Sequence, residues 1–220
     1  MNRRSASRYT LLLGFILSGS VAWASQPLAD VPLTWRPTST IQDFKLQPIN
    51  LTQLRGLQIS IVPFTNSCAD KTLIGENRES KTYKAIRTNA DVASFITDHT
   101  KGILKGLGFP ITDASGQSNV ALSGEVLSFG VVERDTYVGD VRIKLTIRRG
   151  DEVVWEGLAL GQATRFGRSF KLDNYYEVLT DSLLEAISRM AASQTFLDGL
   201  SAKAATIPAP ASVPVPPNLK

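Results

Sequence analysis

The chain has few of the side chains that carry out covalent, acid–base or metal chemistry. Its 220 residues include one cysteine, Cys68, and one histidine, His99. One cysteine excludes an intrachain disulfide, so Cys68 is either a free thiol or pairs with another molecule. A Ser-His-acid or Cys-His site would depend on His99, which lies in a predicted helix without a nucleophile motif nearby. Zinc sites need several His or Cys ligands, so we expect no metal, no cofactor and no enzyme activity.

Long apolar runs are also missing, apart from one near the N-terminus. Arg3, Arg4 and Arg8 precede a 15-residue apolar run that ends at Ala24, which is shorter than the roughly 20 residues that span a bilayer. This pattern predicts a signal peptide over residues 1–24, cleaved on export across the inner membrane to a periplasmic or outer-membrane-associated location. No cysteine stands at the cleavage point, so we expect no lipid anchor, and membrane association by other means stays open.

The chain lacks a strong excess of charge of one sign. It carries 24 Lys and Arg against 20 Asp and Glu, for a formal net charge of +4. Three of the arginines belong to the predicted signal peptide, so the mature chain has 21 basic and 20 acidic residues. A nearly neutral chain has no overall electrostatic attraction to nucleic acid, and we expect no nucleic-acid partner.

Three segments follow the signal peptide. Residues 25–50 contain four prolines, which oppose helix and predict an extended N-terminal linker. Residues 51–203 have the periodic apolar patterns of a single folded domain. Residues 204–220 are rich in proline and alanine and predict a disordered tail of polyproline character.

The domain alternates strand-like and helix-like patterns. Residues 57–64 predict a strand, residues 65–88 a polar loop, and the following residues a helix capped by Asn89 or Asp91 and ended by Gly108. Three strands are predicted at 119–133, 136–149 and 152–165, the last two joined by a tight Gly150-Asp151 turn. A helix capped by Asp173 follows, and then a short helix over 194–202.

These elements predict an α+β fold in the order β-α-β-β-β-α. The sheet is expected to be antiparallel with about four strands, and two helices are expected to pack on one of its faces. The middle strand of the last three supports this arrangement, because its apolar and polar residues alternate and one face should be solvated. Its apolar members are Val141, Ile143, Leu145 and Ile147, and its polar members are Arg142, Lys144, Thr146 and Arg148.

The folded part of the chain resembles the YajG-type family of uncharacterised bacterial envelope lipoproteins. The resemblance covers roughly residues 57–200 and is carried by the segments "KTLIGENRES", "TNADVASFITDHTKGILKGLGF", "VVERDTYVGDVRIKLTIRRGDEVVWEGLALGQATRFGRS" and "NYYEVLTDSLLEAI". It implies a periplasmic or outer-membrane location in a Gram-negative cell and a compact α+β domain, with no established activity and no catalytic residues. The chain departs from the family in lacking the lipobox cysteine.

The candidate binding residues lie in two places. Arg165, Arg168 and Lys171 precede the last long helix, and Asn174, Tyr175 and Tyr176 lie in its first turn. Three cations at a helix N-terminus add positive charge to an end that is already positive, so this loop is either a recognition surface or is neutralised by Glu133, Asp135 or Asp140. One tyrosine is expected to pack and the other to face outward. The second candidate surface is the solvated strand face, with Arg142, Lys144 and Arg148.

Two functions from different classes are consistent with the sequence. The first is a non-enzymatic accessory protein of the periplasm or cell envelope that binds an envelope protein through the loop and the strand face. The alternative is a carrier or sensor of a small anionic or lipidic ligand held between the helices and the sheet, which would require an apolar cavity there. The oligomeric state is not readable from the sequence.

Overall fold

A computed structural model describes residues 28–79, 83–113, 118–168 and 170–202. The predicted signal peptide (1–24) and the predicted tail (204–220) lie outside these residues. The described residues share one continuous hydrophobic core between a sheet and a layer of helices.

Three long strands dominate the sheet, and the sequence predicts all three, the middle one from its clean alternation. They are β6 (Val120–Glu133), β7 (Thr136–Arg149) and β8 (Glu152–Phe166), and they pair antiparallel in chain order. The apolar members of the β7 alternation are all buried, as predicted for a strand with one solvated face. The turn between β7 and β8 is Gly150-Asp151, where Gly150 adopts a φ of +56°, a conformation that favours glycine.

The rest of the sheet is mostly parallel, and of its described strands the sequence predicts only the first, expected at residues 57–64. Three short strands, β1 (Ile59–Ile61), β2 (Thr65–Asn66) and β3 (Leu73–Asn77), lie along successive stretches of the free side of β6. Outside them, β4 (Lys84–Arg87) pairs antiparallel with β3, and β5 (Ile111–Thr112) pairs parallel with β1. The described residues therefore form a mixed eight-stranded sheet, and the expected antiparallel four-stranded sheet is wrong in its detail.

The polar segment 65–88 contains three of the strands that the sequence analysis missed. These strands are two to five residues long and carry polar side chains such as Glu76 and Lys84. A segment this short offers no alternation to detect. Its strand conformation comes from pairing with β6, because strand formation depends on neighbours more than on intrinsic preference.

Three helices pack on one side of the sheet: α1 (Val92–Gly106), α2 (Leu172–Ala191) and α3 (Gln194–Ser201). Asp91 caps α1 by accepting from the N–H of Ser94, and Gly108 follows its end with a φ of +88°, as predicted. The predicted cap of α2 is wrong, because α2 starts at Leu172 and its N-cap is Lys171, which leaves Asp173 in the first turn. The short helix α3 is present and buries Phe196, Leu197 and Leu200.

The helix α2 lies unusually close to β7 and β8. A Cβ atom at Gly161 would collide with the carbonyl oxygen of Ser182 and would lie 2.6 Å from the main-chain nitrogen of Ala186. At Gly139 it would collide with the Ser182 hydroxyl and lie 2.7 Å from a Val178 methyl carbon. Contacts below 3 Å are repulsive for carbon, so glycine at these positions sets the distance between helix and sheet.

The described part of the predicted linker packs against the domain. Leu28 and Val31 hydrogen-bond to the main chain of Arg87 on β4. Trp35 then stacks on His99 of α1 with ring centroids 4.1 Å apart. Thr38 donates its main-chain N–H and its hydroxyl to the Asp181 carboxylate of α2, at 2.8 and 2.6 Å. Residues 28–50 thus cover the outer side of the helix layer, and we call them the strap.

Replacing Gly161 with alanine tests the close packing of α2. The variant Gly161→Ala is expected to lower the free energy of unfolding by about 1–3 kcal/mol, because α2 must move away from the sheet to admit the methyl group. Urea unfolding followed by circular dichroism measures this change. The matched control is Gly102→Ala in α1, where an added Cβ meets nothing within 4 Å.

The control is expected to raise the free energy of unfolding by about 0.5–1 kcal/mol, since alanine loses less backbone entropy than glycine in a helix. If Gly161→Ala were as stable as the unsubstituted chain, α2 would not be held at the distance described.

Candidate functional site

The basic residues of the predicted recognition loop are largely neutralised. Arg165 forms an ion pair with Glu177 of α2, and Arg168 forms one with Asp135 between β6 and β7. Lys171 is exposed, and its main-chain N–H donates to the Tyr137 hydroxyl at 3.3 Å. The pairing of Arg168 with Asp135 is one that the sequence analysis foresaw, and the ion pairs explain two of the three cations without a partner molecule.

Both tyrosines of the first turn of α2 are buried, so the expectation that one faces outward is wrong. Tyr175 is fully buried and packs edge-to-face on Tyr137, with ring centroids 5.1 Å apart. Tyr176 is also buried, because the strap covers that side of α2 and Arg36 of the strap pairs with Asp173 at 2.7 Å. Asn174 is half-buried beside them. The surface expected at Tyr175 and Tyr176 is therefore an internal contact.

Beneath this turn lies a buried carboxylate, Glu133, at the end of β6. It accepts from the Tyr175 hydroxyl at 2.6 Å and from the main-chain N–H of Phe170 at 2.9 Å. Burial alone would raise the pKa of Glu133, but hydrogen bonds from Tyr137, Tyr175, Asn77 and Phe170 stabilise the charged form and lower that pKa. Burial and the Glu133 charge raise the pKa of Tyr175. The network joins β6 to the start of α2.

The other candidate residues lie on the side of the sheet opposite the helices, which we call the open face. Arg142, Lys144 and Arg148 of β7 are exposed or half-exposed there. Arg142 pairs with Asp140 at 3.0 Å and Lys144 with Glu156 at 3.0 Å. The sequence analysis placed these three cations correctly on the solvated face, although acidic neighbours accompany two of them.

Large apolar side chains lie among these charges on the open face. Leu158 and Leu160 of β8 are 57% and 54% exposed, and Leu127 and Val138 are each 41% exposed. These four residues were not among the candidates predicted from the sequence. A signal was available in β8, where Leu158 and Leu160 alternate with Gly157, Ala159 and Gly161, so that the larger side chains share one face and the smaller residues face α2.

A shallow groove of about 470 Å³ crosses the open face at β3, β6 and β7. Leu127, Val132 and Val138 line it together with Cys68. The Cys68 thiol lies 3.8 Å from the carbonyl oxygen of Val126, and burial raises its pKa, which disfavours the reactive thiolate. The groove is mostly apolar, and the raised pKa of Cys68 favours the protonated thiol.

Metal-binding groups and membrane-spanning helices are absent from the part of the chain that the structure describes. Across 28–79, 83–113, 118–168 and 170–202, no group of three or more His, Cys, Asp or Glu side chains is placed to hold a metal ion. None of the helices in these ranges combines the length and apolar character needed to cross a membrane. His99 lies between Trp35 and Phe95, with ring centroids 4.1 and 4.4 Å away.

Comparisons with known proteins find distant structural likenesses. The chain matches no family model and no curated protein sequence. Protein XCC0632 from Xanthomonas campestris, assigned to the family DUF330, is 8% identical, with 80% of this chain and 93% of that chain covered and a TM-score of 0.45. The PelC dodecamer from Paraburkholderia phytofirmans is 17% identical, with 61% and 89% covered and a TM-score of 0.38.

Lipoprotein GNA1162 from Neisseria meningitidis is a further likeness, 13% identical, with 53% and 90% covered and a TM-score of 0.33. At these scores the likenesses assign neither family nor function to the chain. The YajG-type resemblance therefore stays a hypothesis.

The lowered pKa of Glu133 predicts a specific dependence of stability on pH. The unfolded value is 4.5 and the folded value lies below it, so the charged form adds stability above the unfolded pKa and loses it as pH falls through the folded pKa. The variant Glu133→Gln is expected to be about 1–3 kcal/mol less stable at neutral pH. This difference should shrink as pH falls from about 6 to about 3, measured by urea unfolding at each pH.

The matched control is Asp113→Asn, which removes an exposed carboxylate that pairs with Lys105 at 3.0 Å. The change in the free energy of unfolding is expected to be small for this control and to vanish in high salt, because water and ions screen exposed ion pairs. A constant difference between the unsubstituted chain and Glu133→Gln at all pH values would contradict the assignment of a charged Glu133.

Proposed function

We propose that this chain is a non-enzymatic accessory protein of the bacterial cell envelope that binds another envelope protein through the open face. The observation that carries the proposal is the exposure of Leu127, Val138, Leu158 and Leu160 together on that face. The helices and the strap lie on the other side of the sheet, so the open face is the side on which a partner can contact β-sheet directly.

The composition of the open face fits a protein partner better than a charged polymer. Protein interfaces have an apolar centre and a polar rim, and here the apolar side chains lie among Arg142, Lys144 and Arg148. Asp140 and Glu156 partly neutralise these cations, so the face has no strong field of one sign to attract nucleic acid. The surface that would fit the open face is that of a protein with an apolar ridge flanked by positive and negative side chains.

The proposed location rests on the N-terminal sequence. The three arginines and the 15-residue apolar run that follows them have the order of a secretory signal. Export across the inner membrane would place the open face in the periplasm. The chain has no cysteine at the predicted cleavage point, so we propose a periplasmic form that reaches the outer membrane through its partner.

The alternative function, transport or sensing of a small ligand between helices and sheet, is disfavoured by the packing there. Side chains and backbone of α2 occupy that space so closely that a methyl group at Gly139 or Gly161 would collide with them. The Tyr175 ring fills the neighbouring space over Gly75, where an added Cβ would lie 2.8 Å away. A ligand in this layer would have to displace the helix.

A non-enzymatic role is supported by the settings of the reactive side chains. His99 stacks on Trp35 and packs edge-to-face against Phe95, and burial lowers its pKa. Glu133 is committed to hydrogen bonds with α2 and the loop before it. For both His99 and Glu133, contacts within the fold account for the presence of the side chain without a catalytic role.

Site-specific photo-crosslinking in the native cell envelope tests the proposed interface. A probe at Val138 on the open face is expected to capture a discrete envelope protein, and a probe at Asp98, on the exposed side of α1, is the matched control. Adding Leu127→Asp to the Val138 probe chain should reduce capture about tenfold, which corresponds to about 1.4 kcal/mol of lost binding. Mass spectrometry identifies the captured species.

Equal capture from Val138 and Asp98, or capture that Leu127→Asp leaves unchanged, would contradict an interface on the open face. If the captured species were only a second copy of this chain, the proposed binding of a different protein would be wrong.

A further inference from the structure

Strand β8 is a long edge strand. Within the described residues it pairs with β7 alone. The main-chain N–H of Gln162 donates to the Glu185 carboxylate of α2 at 2.8 Å, so it points away from β7. Because main-chain groups alternate in direction along an antiparallel strand, those of Leu158, Leu160 and Thr164 also point outward from the edge.

This edge carries few of the features that prevent strands from pairing. Edge strands are commonly protected by proline, by lysine or by shortness, whereas β8 spans 15 residues and contains neither proline nor lysine. Glu185 blocks the edge at Gln162, but no comparable contact is described at Leu158 or Leu160. Hollows of about 720 and 670 Å³, both lined by Leu158, Leu160 and Arg189, run along this edge.

We propose that a second copy of this chain binds at the β8 edge, by antiparallel pairing of the two β8 strands about a two-fold axis at Ala159. Leu158 of each copy then lies opposite Leu160 of the other. The two sheets become continuous, and the open faces of the two copies join side by side. This inference goes beyond the proposed function, which does not require a second copy.

The register follows from the side chains at the edge. Outward-pointing residues must pair with outward-pointing residues, so registers differ by steps of two. With Ala159 on the axis, four leucines meet side by side on the open face and pack against one another. A shift in one direction would place Leu160 opposite Glu156, and a shift in the other would place Leu158 opposite Gln162. The central register buries the most apolar surface.

The helix layer also accommodates a second copy in this position. Contacts at Gly139 and Gly161 place α2 over β7 and β8, and strands lie about 4.8 Å apart. The two α2 helices would therefore run side by side about 10 Å apart, a normal packing distance for helices.

Charge complementarity along α2 favours a second copy as the occupant. Glu185 and Arg189 lie on α2 beside the β8 edge, where both line the hollow with Leu160. They pair with each other in one copy, at 2.8 Å. A two-fold axis near Ala159 brings Glu185 of one copy towards Arg189 of the other, and Glu185 releases the Gln162 N–H to the carbonyl oxygen of Glu156 in the second copy.

Disulfide trapping in the full chain tests both the pairing and its register. In a Cys68→Ser background, the double variant Leu158→Cys with Leu160→Cys is expected to form covalent dimers under mild oxidation, because directly opposed residues have Cα atoms about 5.5 Å apart. The single variants Leu158→Cys and Leu160→Cys should not, since their nearest counterparts would lie diagonally, about 7–8 Å away. Non-reducing gels and intact mass measure the products.

Light scattering measures the molecular mass in solution and needs no introduced cysteine. The unsubstituted chain is expected to have the mass of a dimer at high concentration, and Leu160→Lys should return it to the monomer with unchanged circular dichroism. Leu127→Lys, on the open face but away from the edge, is the control and should keep the dimer mass. The Leu127→Lys variant also distinguishes dimer formation from the proposed function, because Leu127 belongs to the proposed interface and not to the β8 edge.

Cross-linking of a single-cysteine variant in place of the double variant would overturn the register. A monomer mass at all concentrations, together with no cross-linking of the double variant, would overturn the second copy as the occupant of the edge. Loss of the dimer in Leu127→Lys but not in Leu160→Lys would place the contact elsewhere and also overturn the inference.

Discussion

The rest of the structure depends on the close contact between α2 and the two strands β7 and β8. Gly139 and Gly161 allow the backbone of α2 to approach the sheet until Ser182 and Ala186 would touch any added side-chain atom. Close contact of this kind excludes water and ligand from the layer and gives α2 a single position. It also fixes where Glu177 meets Arg165 and where Tyr175 reaches Glu133. The inner side of the helix layer therefore contacts the sheet, and the strap covers its outer side.

This arrangement makes the two sides of the protein chemically different. On the helix side, polar groups such as Glu133 and Asp181 are satisfied by hydrogen bonds within the chain. On the open face, leucines remain more than half exposed beside paired charges. Exposed apolar side chains that cluster on one face mark interaction surfaces more often than scattered ones do. The proposed interface lies on this second side, and the β8 edge adjoins it, with Glu185 contacting the edge at Gln162.

The sequence predicts those parts of the fold that depend on near neighbours. The alternation of Val141, Ile143 and their neighbours identifies β7, and Gly150-Asp151 identifies its turn, because both patterns report local geometry. The strands within 65–88 escape prediction, since pairing with β6 and not their own composition makes them strands. The burial of Tyr176 escapes it too, because the strap that covers it is joined to α2 by contacts such as Thr38 to Asp181, 143 residues apart. The cations of β7 were found on the open face, but the leucines of β8 were missed for want of a known strand register.

The central claim is that the open face is covered in the cell and the helix side is not. The most direct measurement is thiol labelling of Val138→Cys and Asp98→Cys, each in a Cys68→Ser background, in intact cell envelopes and in dilute purified protein. The account predicts that Val138→Cys reacts readily when purified and is blocked in the envelope, while Asp98→Cys reacts in both. Equal labelling of Val138→Cys in the two settings would contradict the account, because the open face would then be bare where the protein works.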